Sequence, residues 1–194
     1  MPRPRSVTDE QILEGALKAI GKHGPARLTL AHVASEVGLS PATLLQRFGS
    51  KAALLAAVAG GSTAYAEEAF DEAAARTESP LEALMDALAG FARAITTREE
   101  LANHLAMLQL DVADPKLRGQ AADQAAAVRR RIAGLLAQAT RQGELAGDTN
   151  AGGLAETVYT AYNGALITWA LYGQGELQRW LRKRIQAVLE PHRR

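Results

Sequence analysis

The stretch LTLAHVASEVGLSPATLLQRFGSK, Leu28 to Lys51, leaves the chain few ways to fold, because helix-starting and helix-ending residues alternate along it at short intervals. Thr29 is placed to cap a helix from Leu30 to Val37, whose Leu30, Val33, Ala34 and Val37 recur at helical spacing and form one apolar face. Gly38 follows, at the position where helices end in a left-handed conformation that glycine tolerates. Ser40 can cap a second helix with Pro41 in its first turn, where a missing N–H costs nothing. Leu39 and Leu44 are spaced as a hydrophobic staple, and Leu44 and Phe48 face inward together. Ser50 caps a third helix that starts at Lys51. Two short helices, a tight turn and a third helix close behind form a helix-turn-helix.

In that motif the second helix enters the DNA major groove. Here its outward residues are Ala42, Thr43, Gln46 and Arg47. Thr43 and Gln46 can hydrogen-bond base edges, Arg47 can bond guanine or a phosphate, and Ala42 lets the backbone approach. The same set also suits an ordinary solvated helix face; the preceding helix, the turn and the following lysine favour DNA. Lys51 lies in the first turn of its helix, where a cation opposes the helix dipole at a cost of about 0.3–1 kcal/mol. A phosphate in front of it would offset that cost, because free helix N–H groups and the ammonium would converge on one anion.

Residues 8 to about 58 resemble the DNA-binding domain of the TetR family of bacterial transcriptional regulators. The matching pieces are TDEQILEGALKAIGKHG, LTLAHVASEVGLS, PATLLQRFGSK and AALLAAV, with Gly38, Ser40, Thr43, Phe48 and Lys51 in one register. The resemblance implies DNA contacts from Thr29, Ser40, Pro41, Ala42, Thr43, Leu45, Gln46, Arg47 and Lys51. Leu45 departs from the pattern: the family usually has a tyrosine there, which commonly contacts the DNA backbone. Leu45 cannot make that hydrogen bond, and is left to touch a thymine methyl or to pack. Arg47 stands where histidine or tyrosine is common and can recover a phosphate contact.

Composition and charge agree. The chain has 194 residues, 47% of them apolar but only 5% aromatic, and its apolar content is mostly alanine and leucine, which favours close-packed helices over sheets. It has no cysteine, which excludes disulfides, thiolate nucleophiles and cysteine-based metal sites. No apolar run is long enough to span a bilayer, and MPRPRSVTDE lacks the apolar core of a signal peptide, so a cytoplasmic protein with no membrane partner is expected. Net charge is +1, but residues 1–60 carry seven Lys/Arg against four acids, a net +3 that leaves −2 for the remainder: a basic head on a near-neutral body. Pro2-Arg3-Pro4-Arg5 reads as an extended basic arm. Arg3 and Arg5 either lie along a phosphate backbone or minor groove, or form a solvated tail.

The chain as a whole is expected to be all-α, with nine helices in a two-domain architecture. A helix-turn-helix DNA-binding domain spans 1–50, and a helical effector-binding and dimerisation domain spans 51–194. The first helix is expected from about Asp9 to His23, with Thr8 and Gln11 as a capping box, Leu13, Ala16, Leu17 and Ile20 as its core face, and Gly24-Pro25 as its end. A fourth helix should run from Lys51 to about Arg76, with a bend or close packing at Gly60-Gly61. Ser79-Pro80-Leu81-Glu82 opens a fifth as a capping box, with an apolar stripe continuing to Ile95. Four more are expected at about 98–110, from Asp114-Pro115 to near Gly143, at 151–172 and at 176–189.

By the same resemblance, the last two helices pack into a four-helix dimer interface, for which Leu177, Trp180, Leu181, Ile185 and Val188 are the candidates; Trp180 otherwise covers its own core. A small apolar or weakly polar effector is implied among helices four to eight. Met85, Phe91, His104, Leu105, Leu108, Tyr159, Tyr162, Asn163 and Trp169 are the candidate lining, against the alternative of ordinary core positions. The resulting expectation is a homodimeric repressor, without cofactor, that reads a palindromic double-stranded operator and is released by the effector. The alternatives are a regulator controlled by a protein partner and, from a different class, a helical enzyme. His23, His32, His104 and His192 show no metal-ligand spacing, and neither a phosphate loop nor a nucleophile motif is present, so no catalytic or metal residue is expected.

Overall fold

The computed structural model describes residues 7–194 of the chain. Arg3 and Arg5 lie outside the described residues. Among the described residues there are nine α-helices: α1 (Asp9–Arg27), α2 (Leu30–Val37), α3 (Pro41–Phe48), α4 (Lys51–Arg76), α5 (Pro80–Gly90), α6 (Arg98–Ala113), α7 (Pro115–Gln142), α8 (Ala151–Tyr172) and α9 (Leu177–Leu189). A short 3-10 turn, Glu190–His192, follows, and an isolated bridge joins Leu145 to Arg193 in place of any strand. The all-α, nine-helix expectation holds.

Local capping chemistry set the boundaries. Thr8 and Gln11 form the reciprocal capping box of α1. Thr29 and Ser40 accept the backbone N–H groups of His32 and Thr43 at the starts of α2 and α3, and Gly38 closes α2 at φ 68°. Two boundaries differ from expectation. Gly24 does break the helical conformation (φ 71°, ψ 156°), yet Pro25–Arg27 resume one further turn before Leu28. α5 stops at Gly90, so Phe91, Ala92 and Ile95 follow in turns rather than on the helix. Ser79 caps α5 through the Glu82 N–H, but Glu82 does not complete a box; its carboxylate pairs with Arg182 of α9.

The chain packs as two compact units. One holds the residues up to 61 together with 99–120; the other holds 62–98 and 121–194. α4 therefore changes unit after Gly61, within an uninterrupted helix in which neither Gly60 nor Gly61 has a positive φ.

The core of the first unit is Ile12, Ala16, Ala19 and Ile20 of α1, Val33 and Ala34 of α2, Leu44 of α3, and Leu54, Leu55 and Val58 of α4; Met107 of α6 packs against it. Leu17, expected on the core face of α1, is instead exposed, and Ile12 and Ala19 take that role. α1 and α2 approach closely at Gly15: a Cβ there would lie 2.2 Å from a methyl carbon of Val37. In the second unit, α5, α7, α8 and α9 bury Leu84, Leu88, Ile132, Leu136, Val158 and Leu181. Arg182 of α9 also bonds Asp86 of α5, so one guanidinium ties α9 to two carboxylates of α5.

Candidate functional site

α3 is held from below and free above. Leu44 is fully buried in the core of the first unit, and Leu39 and Phe48 pack partly against it. At about 1.5–3 kcal/mol for a fully buried leucine, Leu44 alone fixes which face of this eight-residue helix points outward. The outward face carries Ala42, Gln46 and Arg47, all exposed, with Thr43 half-buried. Ser40 Oγ lies 2.8 Å from Thr43 Oγ1, so the cap residue and a candidate base-reading hydroxyl are coupled at the start of the helix. Leu45 is 52% exposed, so it projects from the surface instead of packing.

Two of the predicted cations are already engaged. Arg47 donates to the Val7 carbonyl at 2.6 Å and pairs with the Asp9 carboxylate, also at 2.6 Å. It thereby fastens α3 to the start of α1, a long-range tie that local sequence patterns do not display. Lys51 Nζ donates to the Ala26 carbonyl at 3.2 Å, in the last turn of α1, where helix carbonyls lack intrahelical partners. Ser50 Oγ accepts the Ala53 N–H at the start of α4, as the sequence predicted. A lysine has three N–H donors, so one bond to Ala26 leaves two for a phosphate.

α6 is docked on α1 through a notch made by two glycines. Asn103 Nδ2 donates to the Gly21 carbonyl at 2.7 Å, and a Cβ on Gly24 would lie 2.7 Å from Asn103 Oδ1. A Cβ on Gly21 would meet His104 Nε2 at 3.0 Å. Burial pushes the pKa of His104 down from its ordinary value, with Glu100 opposing more weakly. Nearby in this unit, His23 of α1 and His32 of α2 stack with ring centroids 3.9 Å apart, an arrangement that neither residue's local context announced.

A cleft of about 360 Å³ opens on the same unit, with Leu55, Ala106 and Leu110 among its walls and Arg27 and Lys51 at its polar positions. None of the residues expected around an effector lines it. Those residues divide between the units: His104, Leu105 and Leu108 belong to the first, and Met85, Phe91, Tyr159, Tyr162, Asn163 and Trp169 to the second. Met85 and Trp169 are buried in the core, and the Trp169 indole donates to the Gly175 carbonyl. Asn163 donates to the Tyr159 carbonyl one turn back on α8. Phe91 sits centrally in an aromatic group, with ring centroids 5.8 Å from Phe70, 6.3 Å from Tyr65 and 6.4 Å from Tyr162. Burial, reinforced by Tyr159 and then Tyr65, drives the Tyr162 hydroxyl pKa well above its ordinary value, so it is a neutral donor. A smaller open cleft of about 90 Å³ between α4 and α5 is lined by Tyr65 but by none of the expected residues.

The expected dimer face divides in the same way. Leu177, Leu181 and Ile185 are buried within this chain, where α9 packs on α5 and α8; only Trp180 and Val188 remain partly accessible. A stripe of apolar residues on α8 stays uncovered among the described residues: Ile167, Leu171 and Tyr172 are 46%, 70% and 60% exposed. Tyr172 meets Trp180 of α9 edge to face at 6.2 Å, and Arg184 lies over the Trp180 ring at 4.2 Å. The spacing of Ile167 and Leu171, four residues apart on one helix, was the available sequence signal for this stripe.

Residues 12–58 match the family model of bacterial regulatory proteins of the tetR family, and residues 81–185 match that of the tetracyclin repressor-like C-terminal domain. The fold is similar to that of a TetR transcription regulator from Haloarcula marismortui (TM-score 0.76, 19% identity, 96% of this chain and 98% of that one). It is also similar to the repressor of a multidrug efflux pump of Stenotrophomonas maltophilia (TM-score 0.67, 17% identity, 97% and 92%). A third similar structure is a ketosteroid transcriptional regulator of Mycobacterium tuberculosis (TM-score 0.61, 17% identity, 96% and 95%). No curated protein matches the chain in sequence.

Proposed function

Because the chain belongs to the TetR family of bacterial regulators, and so is a DNA-binding transcription factor and not an enzyme, we propose that it acts as a homodimeric repressor of a palindromic operator. The observation that carries this reading is α3: a short helix pinned by buried Leu44, capped by Ser40, with Ala42, Thr43 and Gln46 turned outward. Thr43 and Gln46 read base edges, and Ala42 permits close approach. Thr29, Ser40 and Pro41 at the helix starts approach the backbone, and Lys51 contacts phosphate through its remaining donors. Exposed Leu45 reaches a thymine methyl. Arg47, tied to Asp9 and Val7, orients α3 and offers its remaining N–H groups to the DNA; Arg3 and Arg5, a few residues before Val7, follow the backbone or minor groove.

The dimer forms through α8 and α9, with Ile167, Leu171, Tyr172 and Trp180 at its centre and Val188 beside them. A two-fold interface needs one self-complementary patch, and this exposed stripe supplies it. The effector is a small apolar or weakly polar molecule held in the second unit near Phe91, Tyr159, Tyr162 and Asn163, where aromatic walls adjoin a neutral hydroxyl. It releases DNA by binding the DNA-incompetent state more tightly. Among the described residues no helix is long and apolar enough to cross a membrane, which is consistent with action on DNA in the cytoplasm.

The test is capture of fragmented source-genome DNA by the purified protein, with sequencing at two salt concentrations. Enrichment of one palindromic motif at both is expected. Uniform recovery of fragments, vanishing at the higher salt, would leave only non-specific phosphate binding and reject the operator reading.

A further inference from the structure

The geometry points to a second small-molecule site in the DNA-binding unit itself: the cleft beside the end of α1, which takes a small amphipathic monoanion such as a medium-chain carboxylate. The cleft holds about 360 Å³, within the range of roughly 300–1,000 Å³ over which proteins bind small molecules. Leu55, Ala106 and Leu110 give it apolar walls from α4 and α6. Arg27 and Lys51 supply two cations, and among the described residues no carboxylate lines it. Each cation spends one donor on a backbone carbonyl of α1, Arg27 Nε on His23 and Lys51 Nζ on Ala26. The remaining guanidinium and ammonium N–H groups have no carboxylate among the residues that line the cleft to accept them. A carboxylate would accept charge-assisted hydrogen bonds from both, while its hydrocarbon body covered the exposed face of Leu110.

This chemistry differs from that of the aromatic group in the second unit, which presents a neutral hydroxyl and suits an uncharged molecule. Resting on the proposed phosphate contact of Lys51, occupation of the cleft would compete with DNA for one ammonium. The site itself does not depend on that reading, and is tested without DNA.

Octanoate and octanol are the matched probes, titrated calorimetrically into the full chain. Octanoate is expected to bind saturably and octanol about tenfold more weakly, the difference being one charge-assisted interaction. Arg27 and Leu110 are both exposed, so Arg27→Gln and Leu110→Glu leave the core intact, as circular dichroism would verify. The first removes a cation and the second places an anion on the wall; each should weaken octanoate by about tenfold. No saturable binding at millimolar octanoate, equal binding of octanol, or wild-type affinity in either folded variant would overturn the proposal.

Discussion

On the proposed reading Gln46 and Lys51 make two different kinds of DNA contact, and their substitutions should separate them. Gln46 is exposed on the outward face of α3 and bonds no other side chain among the described residues, so Gln46→Ala should cost about 1–3 kcal/mol on the cognate site and nothing on random DNA. Equal loss on both in a binding titration would remove Gln46 from the base-reading set. Lys51→Gln should weaken all sequences alike and reduce the slope of log affinity against log salt by about 0.9, the share of one phosphate. An unchanged salt slope would assign Lys51 wholly to the end of α1. Gly24 offers a third test at this scale. Its φ of 71° and ψ of 156° suit glycine almost alone, and a Cβ would strike Asn103 Oδ1. Gly24→Ala should destabilise the protein by about 1–3 kcal/mol in chemical denaturation, and adding Asn103→Ala should recover only the steric part. Single residues were legible in the sequence where their role is local: Thr29, Ser40 and Gly38 act on neighbours within four positions. Arg47 was not, because its partners Val7 and Asp9, at and just before the start of α1, lie about 40 residues away in sequence.

At the scale of elements, periodicity shows that a helix face is buried but not what buries it. Leu177, Leu181 and Ile185 of α9 form the stripe the sequence displays, and the chain covers it with its own α5 and α8. The break at Gly24 was legible from Gly-Pro, whereas the extra turn to Arg27 depends on Pro25 resuming a helix that its ring preorganises. The docking of α6 on α1 has a titratable consequence. Burial lowers the pKa of His104 from 6.5, more than Glu100 raises it, so the unfolded chain takes up the proton first as pH falls. The stabilisation linked to neutral His104 is therefore complete above the unfolded value and is lost as pH drops through it toward the lowered folded value. Between about pH 7.5 and 5.5, the denaturation midpoint of the wild type should fall further than that of His104→Gln. Parallel midpoints in the two proteins would show that His104 does not carry this linkage.

For the molecule as a whole, the decisive surface is the one that a single chain leaves uncovered. Large apolar side chains seldom stand together in water on a monomer, yet Ile167, Leu171 and Tyr172 do so beside Trp180. Each lies on α8 or α9, so a two-fold axis through this patch would bring every member against its own counterpart or a neighbour of it. Two α3 helices related by that axis could then address successive major grooves, about 34 Å apart, which a lone head cannot do. Leu171 is 70% exposed, so Leu171→Glu should spare the fold while placing a charge at the interface twice per dimer. At about 1.5–3 kcal/mol for each buried leucine, the loss in the dimer exceeds about 3 kcal/mol, or more than a hundredfold in its dissociation constant. Sedimentation should show the variant as a monomer. Its affinity for the full palindrome should fall while its affinity for one half-site stays at the wild-type value, because α3 and its supports are untouched. A variant that remains dimeric would move the interface elsewhere; a monomer with undiminished palindrome affinity would detach DNA recognition from dimerisation altogether.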